Sequence, residues 1–185
     1  MIKVLIIPTI LFVLFSCETD FSAKSDQIKT TSSKQDSAIK KTNSIQDTTL
    51  IKDWLTKVII DYVNSEDGKV AYNNMRLALT DKYYNYKQNA INLEYGEEMT
   101  EEEFHEKWKS IYDTKFVGKG GFFIPTQDNG TIDIPTCTLL KSLGDTAQIF
   151  HVVIRDLRWK TNFVRDITII SKDNKLLIDD VKEYE

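Results

Sequence analysis

Between Ala147 and Trp159, apolar side chains fall on both faces of what reads as one long strand. Phe150, Val152 and Ile154 alternate one way, and Ile149, Val153 and Leu157 the other. The next run repeats the pattern, with Ile167 and Ile169 on one side and Val164 and Ile170 on the other. A sheet with one solvated face alternates apolar and polar residues, so these strands demand cover on both faces. Helices can supply one cover. The other needs a sheet curled on itself, a second subunit or a partner protein.

The strands come late in the chain. Ile132–Leu140, Ala147–Trp159, Phe163–Ser171 and Leu176–Tyr184 read as strands, with Gly144-Asp145 and Asp173-Asn174 as turns. Asn129-Gly130 marks an earlier hairpin. Gly118-Lys119-Gly120-Gly121 lacks the Lys-Ser/Thr ending of a phosphate loop and reads as a turn or bulged sheet corner. If Lys160-Thr161 is a two-residue loop, Asp156 faces Arg165 and Arg155 faces Asp166 as opposite-charge cross-strand pairs. A turn at Asp173-Asn174 pairs Ile169 with Ile178 and Ile170 with Leu177.

The region before the strands reads as helical. Ile51, Trp54, Leu55, Val58, Ile59, Tyr62 and Val63 recur at helical spacing, with Asp47 or Thr49 as cap and Asp67-Gly68 as stop. A second helix carries Val70, Met75, Leu77 and Leu79. The tyrosine-rich segment Asp81–Tyr95 fits no element by its pattern. Thr100-Glu101-Glu102-Glu103 is a capping box that opens a helix with Phe104, Trp108, Ile111 and Tyr112 on one stripe. His105-Glu106 has no second histidine four residues beyond His105, so the zinc-protease pattern is absent. Helices first and an antiparallel sheet second make the fold class α+β.

The N-terminus carries a different message. Lys3 precedes an apolar run from Val4 to Phe15, interrupted by Thr9 and Pro8. The run is too short to span a bilayer as a helix and fits the apolar core of a secretory signal. It ends in Leu14-Phe15-Ser16-Cys17, which resembles the bacterial lipobox. That resemblance implies cleavage before Cys17, a diacylglyceryl group on its sulfur and an acylated amine, such as palmitate would provide. The membrane partner is then lipid on Cys17, and the location is the bacterial cell envelope, facing the periplasm or the cell surface. Residues 1–16 are the expected signal peptide. Residues 17–49 are lipidated cysteine and polar tether, too poor in apolar residues for a core. Residues 50–185 are the folded domain.

Charge and cysteine count exclude whole classes. The chain has 24 basic and 28 acidic residues, a formal charge of -4, so no electrostatically driven nucleic-acid partner is expected. Loss of Lys3 with the leader makes it more acidic still. With Cys17 modified, Cys137 is the one thiol left, and it reads as a small buried strand residue. Two histidines and two cysteines are a poor metal-ligand supply, so no metal or other cofactor is expected.

The order of helices and long strands, closing on Asn174-Lys175-Leu176-Leu177-Ile178-Asp179-Asp180-Val181, resembles the nuclear transport factor 2-like superfamily. The resemblance implies N-terminal helices packed in the concavity of a curved antiparallel sheet, like a cone. It also implies a pocket at the cone's mouth for a small apolar ligand, and sheet-to-sheet homodimers. Enzymes of that superfamily set a carboxylate base and a hydrogen-bond donor in an apolar cone. Here the candidates for such work are His151, Asp133 and Tyr84, with no complete catalytic set around them. The function that follows is a non-catalytic envelope protein, binding a ligand in the cone or a protein on the sheet, with toxin neutralisation as a special case. The alternative is a small-molecule lyase, isomerase or hydrolase that uses the cone.

Overall fold

The computed structural model describes residues 47–96, 99–125 and 128–184. The apolar leader, Cys17 and nearly all of the tether lie outside the described residues. Among the described residues no helix is long and apolar enough to cross a membrane.

Helix α1 runs Thr48–Val63, beginning within the segment assigned to the tether. Asp47 caps it, its carboxylate accepting from the Thr49 and Leu50 amides at 2.9 and 3.3 Å. Ile51, Leu55 and Ile59, four apart, form its buried stripe. Asn64 ends the helix and clamps it to the first strand. Its side chain donates to the Ile132 carbonyl and accepts from the Ile132 amide, at 3.0 and 2.8 Å.

Asp67-Gly68 does not stop α1. It starts α2, Gly68–Leu77, because the Asp67 carboxylate is placed to accept from the Val70 amide at 3.0 Å. The face of α2 also differs from expectation. Ala71 and Met75 are buried, whereas Val70 and Leu77 are 52% and 78% exposed. Leu79 leaves the helix and forms a parallel bridge to Ile178.

The segment left without an element is α3, Asp81–Glu94, capped by Thr80. Tyr83, Tyr86, Lys87 and Ala90 are its buried positions, spaced i, i+3, i+4 and i+7. Helix α4, Glu101–Trp108, begins with the full capping box: Thr100 Oγ1 accepts from the Glu103 amide, and Glu103 Oε2 accepts from the Thr100 amide. Phe104 and Trp108 are buried; Ile111, beyond the helix end, is half exposed, and Tyr112 returns to the core. A single 3-10 turn follows at Thr114–Phe116.

Four strands make one antiparallel meander: β1 Ile132–Leu143, β2 Ala147–Asp156, β3 Thr161–Lys172 and β4 Lys175–Tyr184, side by side in that order. The fold is therefore α+β, with four α-helices and one four-stranded sheet among the described residues. Cys137, Phe150, Val152, Ile154, Ile167, Ile169, Ile178 and Val181 form the inner face and share one core with the helices. Rings fill the space between, among them Tyr83, Tyr86, Phe104, Trp108, Phe122 and Phe123. Tyr86 stacks on Tyr112 at 4.2 Å and on Phe104 at 5.6 Å between ring centres.

The β3–β4 hairpin has the expected register, Ile169 opposite Ile178 and Ile170 opposite Leu177. Asp173 and Asn174 both adopt left-handed backbone, φ 52° and 59°, as a tight two-residue hairpin turn requires. The β2–β3 register differs from expectation. Asp156 lies opposite Thr161 and Arg155 opposite Asn162, so the turn is Leu157–Lys160. Asp156 is the reason. Its carboxylate accepts from the Arg158, Trp159 and Gly130 amides at 2.8, 2.9 and 2.9 Å, which holds it at the turn rather than beside Arg165. The ladder slips by four residues along β3, an even number, so inside and outside are unchanged.

Asn129-Gly130 is likewise not a hairpin. It precedes β1 and packs against the β2–β3 turn, and a Cβ on Gly130 would strike Arg158 and Asp156. The glycine-rich stretch Gly118–Gly121 is irregular and leads Phe122, Phe123 and Ile124 into the core.

Candidate functional site

His151 sits near the middle of β2, on the outer face of the sheet. Alternation puts Ile149 and Val153 on either side of it, both half-buried. Its cross-strand neighbour on β3 is Asp166. His151 Nδ1 lies 2.8 Å from Asp166 Oδ1, and the Tyr184 hydroxyl donates to Asp166 Oδ2 at 2.7 Å. Burial, then the bond to Asp166, pushes the Tyr184 phenol up to about 12, so it remains a donor at neutral pH. Lys182 is the β4 neighbour of Asp166 and lies 5.3 Å over the Phe116 ring. The histidine side chain is 38% exposed and the aspartate 16%.

This polar network sits on a partly aliphatic face. Ile149, Val153 and Val164 adjoin it, and Ile170 and Leu177 lie further on, beyond Thr168, all half-buried. Among the described residues, Phe116 reaches this face from outside the sheet, its ring 5.1 Å from that of Tyr184 and tilted to it by 60°. Chemically, the carboxylate fixes the imidazole through Nδ1 and leaves Nε2 as the ring's remaining nitrogen, half of a general-base arrangement. Thr138 is the register neighbour of His151 on β1. Tyr184 and Asp166 were not singled out as site residues by sequence. Their signal was parity alone, since both occupy outward positions in the rows that contain His151 and Val153.

The other two candidates lie elsewhere. Asp133 is held by Arg155 across β1 and β2, accepting from Nε at 2.9 Å and from the second guanidinium nitrogen, and this bonding keeps its carboxyl below the usual range. It lies opposite Arg155, four residues from His151 along β2. Tyr84 is on α3, on the helical side. Its hydroxyl is 2.8 Å from that of Tyr72, its ring stacks on Phe122, and Arg76 lies 4.1 Å over it. The three candidates therefore do not converge.

Tyr72 opens onto the second feature, a cleft of about 620 Å³ whose lining includes Tyr62, Tyr72, Gln88, Glu94, Phe122 and Asn129. Burial and the Tyr84 bond push the Tyr72 phenol up to about 12. Neither Tyr72 nor Gln88 carried a motif, and only the fold assembles them.

The third feature is a buried charge knot. Lys87 is fully buried and pairs with Glu183, whose side chain is 4% exposed; the ammonium also donates to the Gly118 carbonyl at 2.6 Å. Burial pushes the lysine down and Glu183 counteracts it. Arg165 approaches Glu183 at 3.4 Å and donates to the Phe123 carbonyl at 2.8 Å. A Cβ on Gly118 would collide with the Glu183 carboxylate, so glycine is required there. The knot ties α3, β3, β4 and the glycine-rich loop together.

Among the described residues, no three His, Cys, Asp or Glu side chains are placed to hold a metal ion. Cys137 is a buried free thiol, which burial pushes up from its ordinary pKa. Comparison with protein-family models, with characterised proteins and with solved structures finds no match to this chain.

Proposed function

We propose that this chain is a lipid-anchored envelope protein that works by binding rather than catalysis, and that the outer sheet face meets another protein. The observation that supports this reading is the partly aliphatic face around the His151–Asp166–Tyr184 network. Four strands of about ten residues present roughly 30 by 20 Å, or about 600 Å², close to one partner's share of a standard interface. The face carries both signs, Asp166 beside Lys182, so it can meet a second copy of itself about a two-fold axis. A homodimer through this face is the specific form of the proposal.

Sedimentation of the chain lacking its leader and lipid tests it. A dimer that Val153→Lys converts to monomer, with thermal stability retained, is the expected result. A strict monomer at high concentration refutes the homodimer. Anchoring is tested separately: palmitate incorporation should disappear in Cys17→Ala, and unchanged labelling would remove the lipoprotein reading. The cone arrangement of the nuclear transport factor 2-like superfamily belongs to the same proposal and requires the sheet to curve around the helices.

One observation favours a second reading, a small-molecule lyase, isomerase or hydrolase. It is the Asp166-oriented imidazole of His151. Turnover abolished by His151→Ala in a folded protein would establish it.

A further inference from the structure

We propose that the end of the domain at which residues 17–46 join it rests on a lipid surface, with Leu50, Leu77, Leu139, Leu140 and Leu143 reaching into the acyl region. These leucines are 40–78% exposed. The proposal rests on the lipid-anchored reading and adds which end of the domain meets the membrane.

The topology brings the leucines to one end. In the meander, the β1–β2 and β3–β4 turns share one end and the β2–β3 turn has the other. Leu139, Leu140 and Leu143 close β1 at the first end. Helix α1 runs antiparallel to β1, with Asn64 bonded to Ile132 and Thr56 against the Cys137 side chain. Leu50, about 9 Å before Thr56 along the helix, is therefore level with Leu140, about 10 Å beyond Cys137 along the strand. Leu77 ends α2 beside the β3–β4 hairpin: the Ala78 carbonyl accepts from the Ile178 amide at 2.8 Å, and Lys172 acts on Asp81. Asp47 caps α1 at this same end, so the stretch that begins at Cys17 meets the fold here.

The residue types favour lipid over protein. Protein hot spots are rich in Trp, Tyr and Arg and poor in leucine. A bilayer asks for no shape, only for apolar side chains that enter it and long cations that stay at its surface. Lys52, Lys141, Lys172 and Lys175 are exposed at this end, and Lys172 faces Lys175 across the base of the hairpin. Asp53, Asp145 and Asp173 are exposed among them. Apolar burial therefore carries the contact, and a zwitterionic bilayer suffices.

The test couples Cys17 of the chain lacking its leader to maleimide-bearing phosphatidylcholine vesicles, which supplies the anchor chemically. Cys137→Ala leaves one thiol to react. Leu140→Trp reports on the proposed end, and Leu157→Trp, in the β2–β3 turn, reports on the other. In vesicles with brominated acyl chains, the emission added by Leu140→Trp should fall about twofold, and that added by Leu157→Trp should not change. Adding Leu50→Asp and Leu143→Asp together should abolish the fall. Leu77→Trp serves as the second reporter if Leu140→Trp fails to fold. No quenching at the proposed end, equal quenching at both ends, or quenching that survives the paired aspartates overturns the proposal. None of these outcomes depends on palmitate labelling in the cell, so failure of the anchoring and failure of this proposal are told apart.

Discussion

Replacing Asp180 by asparagine should stabilise the domain at neutral pH and change little in acid. Burial pushes the Asp180 carboxyl from an ordinary 3.8 up to about 6; Lys182 and Lys82 pull it partly back and Asp179 adds to the rise. Below pH 3.8 the group is protonated in both folded and unfolded chains. From there to about pH 6 the unfolded chain has lost the proton that the folded one keeps, so stability falls as pH rises. Above that window the loss is complete. A gap of about two pH units is worth about 3 kcal/mol. Asparagine never ionises and escapes it.

For a domain of this size the difference corresponds to about 10 °C in Tm. Urea melts of both proteins at pH 4 and pH 7.5 would measure it, and subtracting wild type from variant removes the titration of the other carboxylates. The reasoning is refuted if Asp180→Asn is the less stable protein at pH 7.5, or if the difference is the same at both pH values.

Glu183→Gln leaves the buried Lys87 ammonium without its counter-charge and should cost about 3–5 kcal/mol by chemical denaturation. Asp156→Ala deprives three backbone amides of their acceptor, and unfolding free energy should fall by about 2–3 kcal/mol with a change in Trp159 emission. Thr100→Ala breaks the capping box of α4 and should lower stability by about 1 kcal/mol in the same assay.

The elements that could be read from sequence were those whose local chemistry and tertiary role agree. The Thr100 capping box and the Asp173-Asn174 turn both formed as written, because each is satisfied within a few residues of itself. Helix α3 was invisible for the opposite reason. Its buried stripe is Tyr83, Tyr86, Lys87 and Ala90, and a lysine in the middle of it, in a segment otherwise rich in polar residues, breaks the apolar periodicity. The burial of Lys87 depends on Glu183, 96 residues away. The β2–β3 register failed because a plausible charge pair, Asp156 with Arg165, lost to three backbone amides competing for the same carboxylate. The inward and outward sets survived, since they rest on alternation and not on the turn. As for the site, His151 was legible as an oddity among aliphatics, but its partners Asp166 and Tyr184 come from two other strands. The β2–β3 turn, which sets Asp166 beside His151, differed from expectation, and a register shift at Thr168/Ile169 offsets the β4 pairing that brings in Tyr184.

The distance in sequence between Lys87 and Glu183 also shapes how the protein can be made. A chain emerging N-terminus first presents four helices whose aromatic faces have no sheet to cover them. Lys87 is meanwhile a cation with no counter-charge. Ile178, Val181 and Glu183 complete the core only when β4 has been made. Until then the helical half has little reason to settle into its final packing, because burying Lys87 early would strand its charge. The knot thus delays closure until the last strand arrives. A chain that stays open through synthesis is one that can still be threaded through a narrow translocation pore, the route that a secretory leader would require.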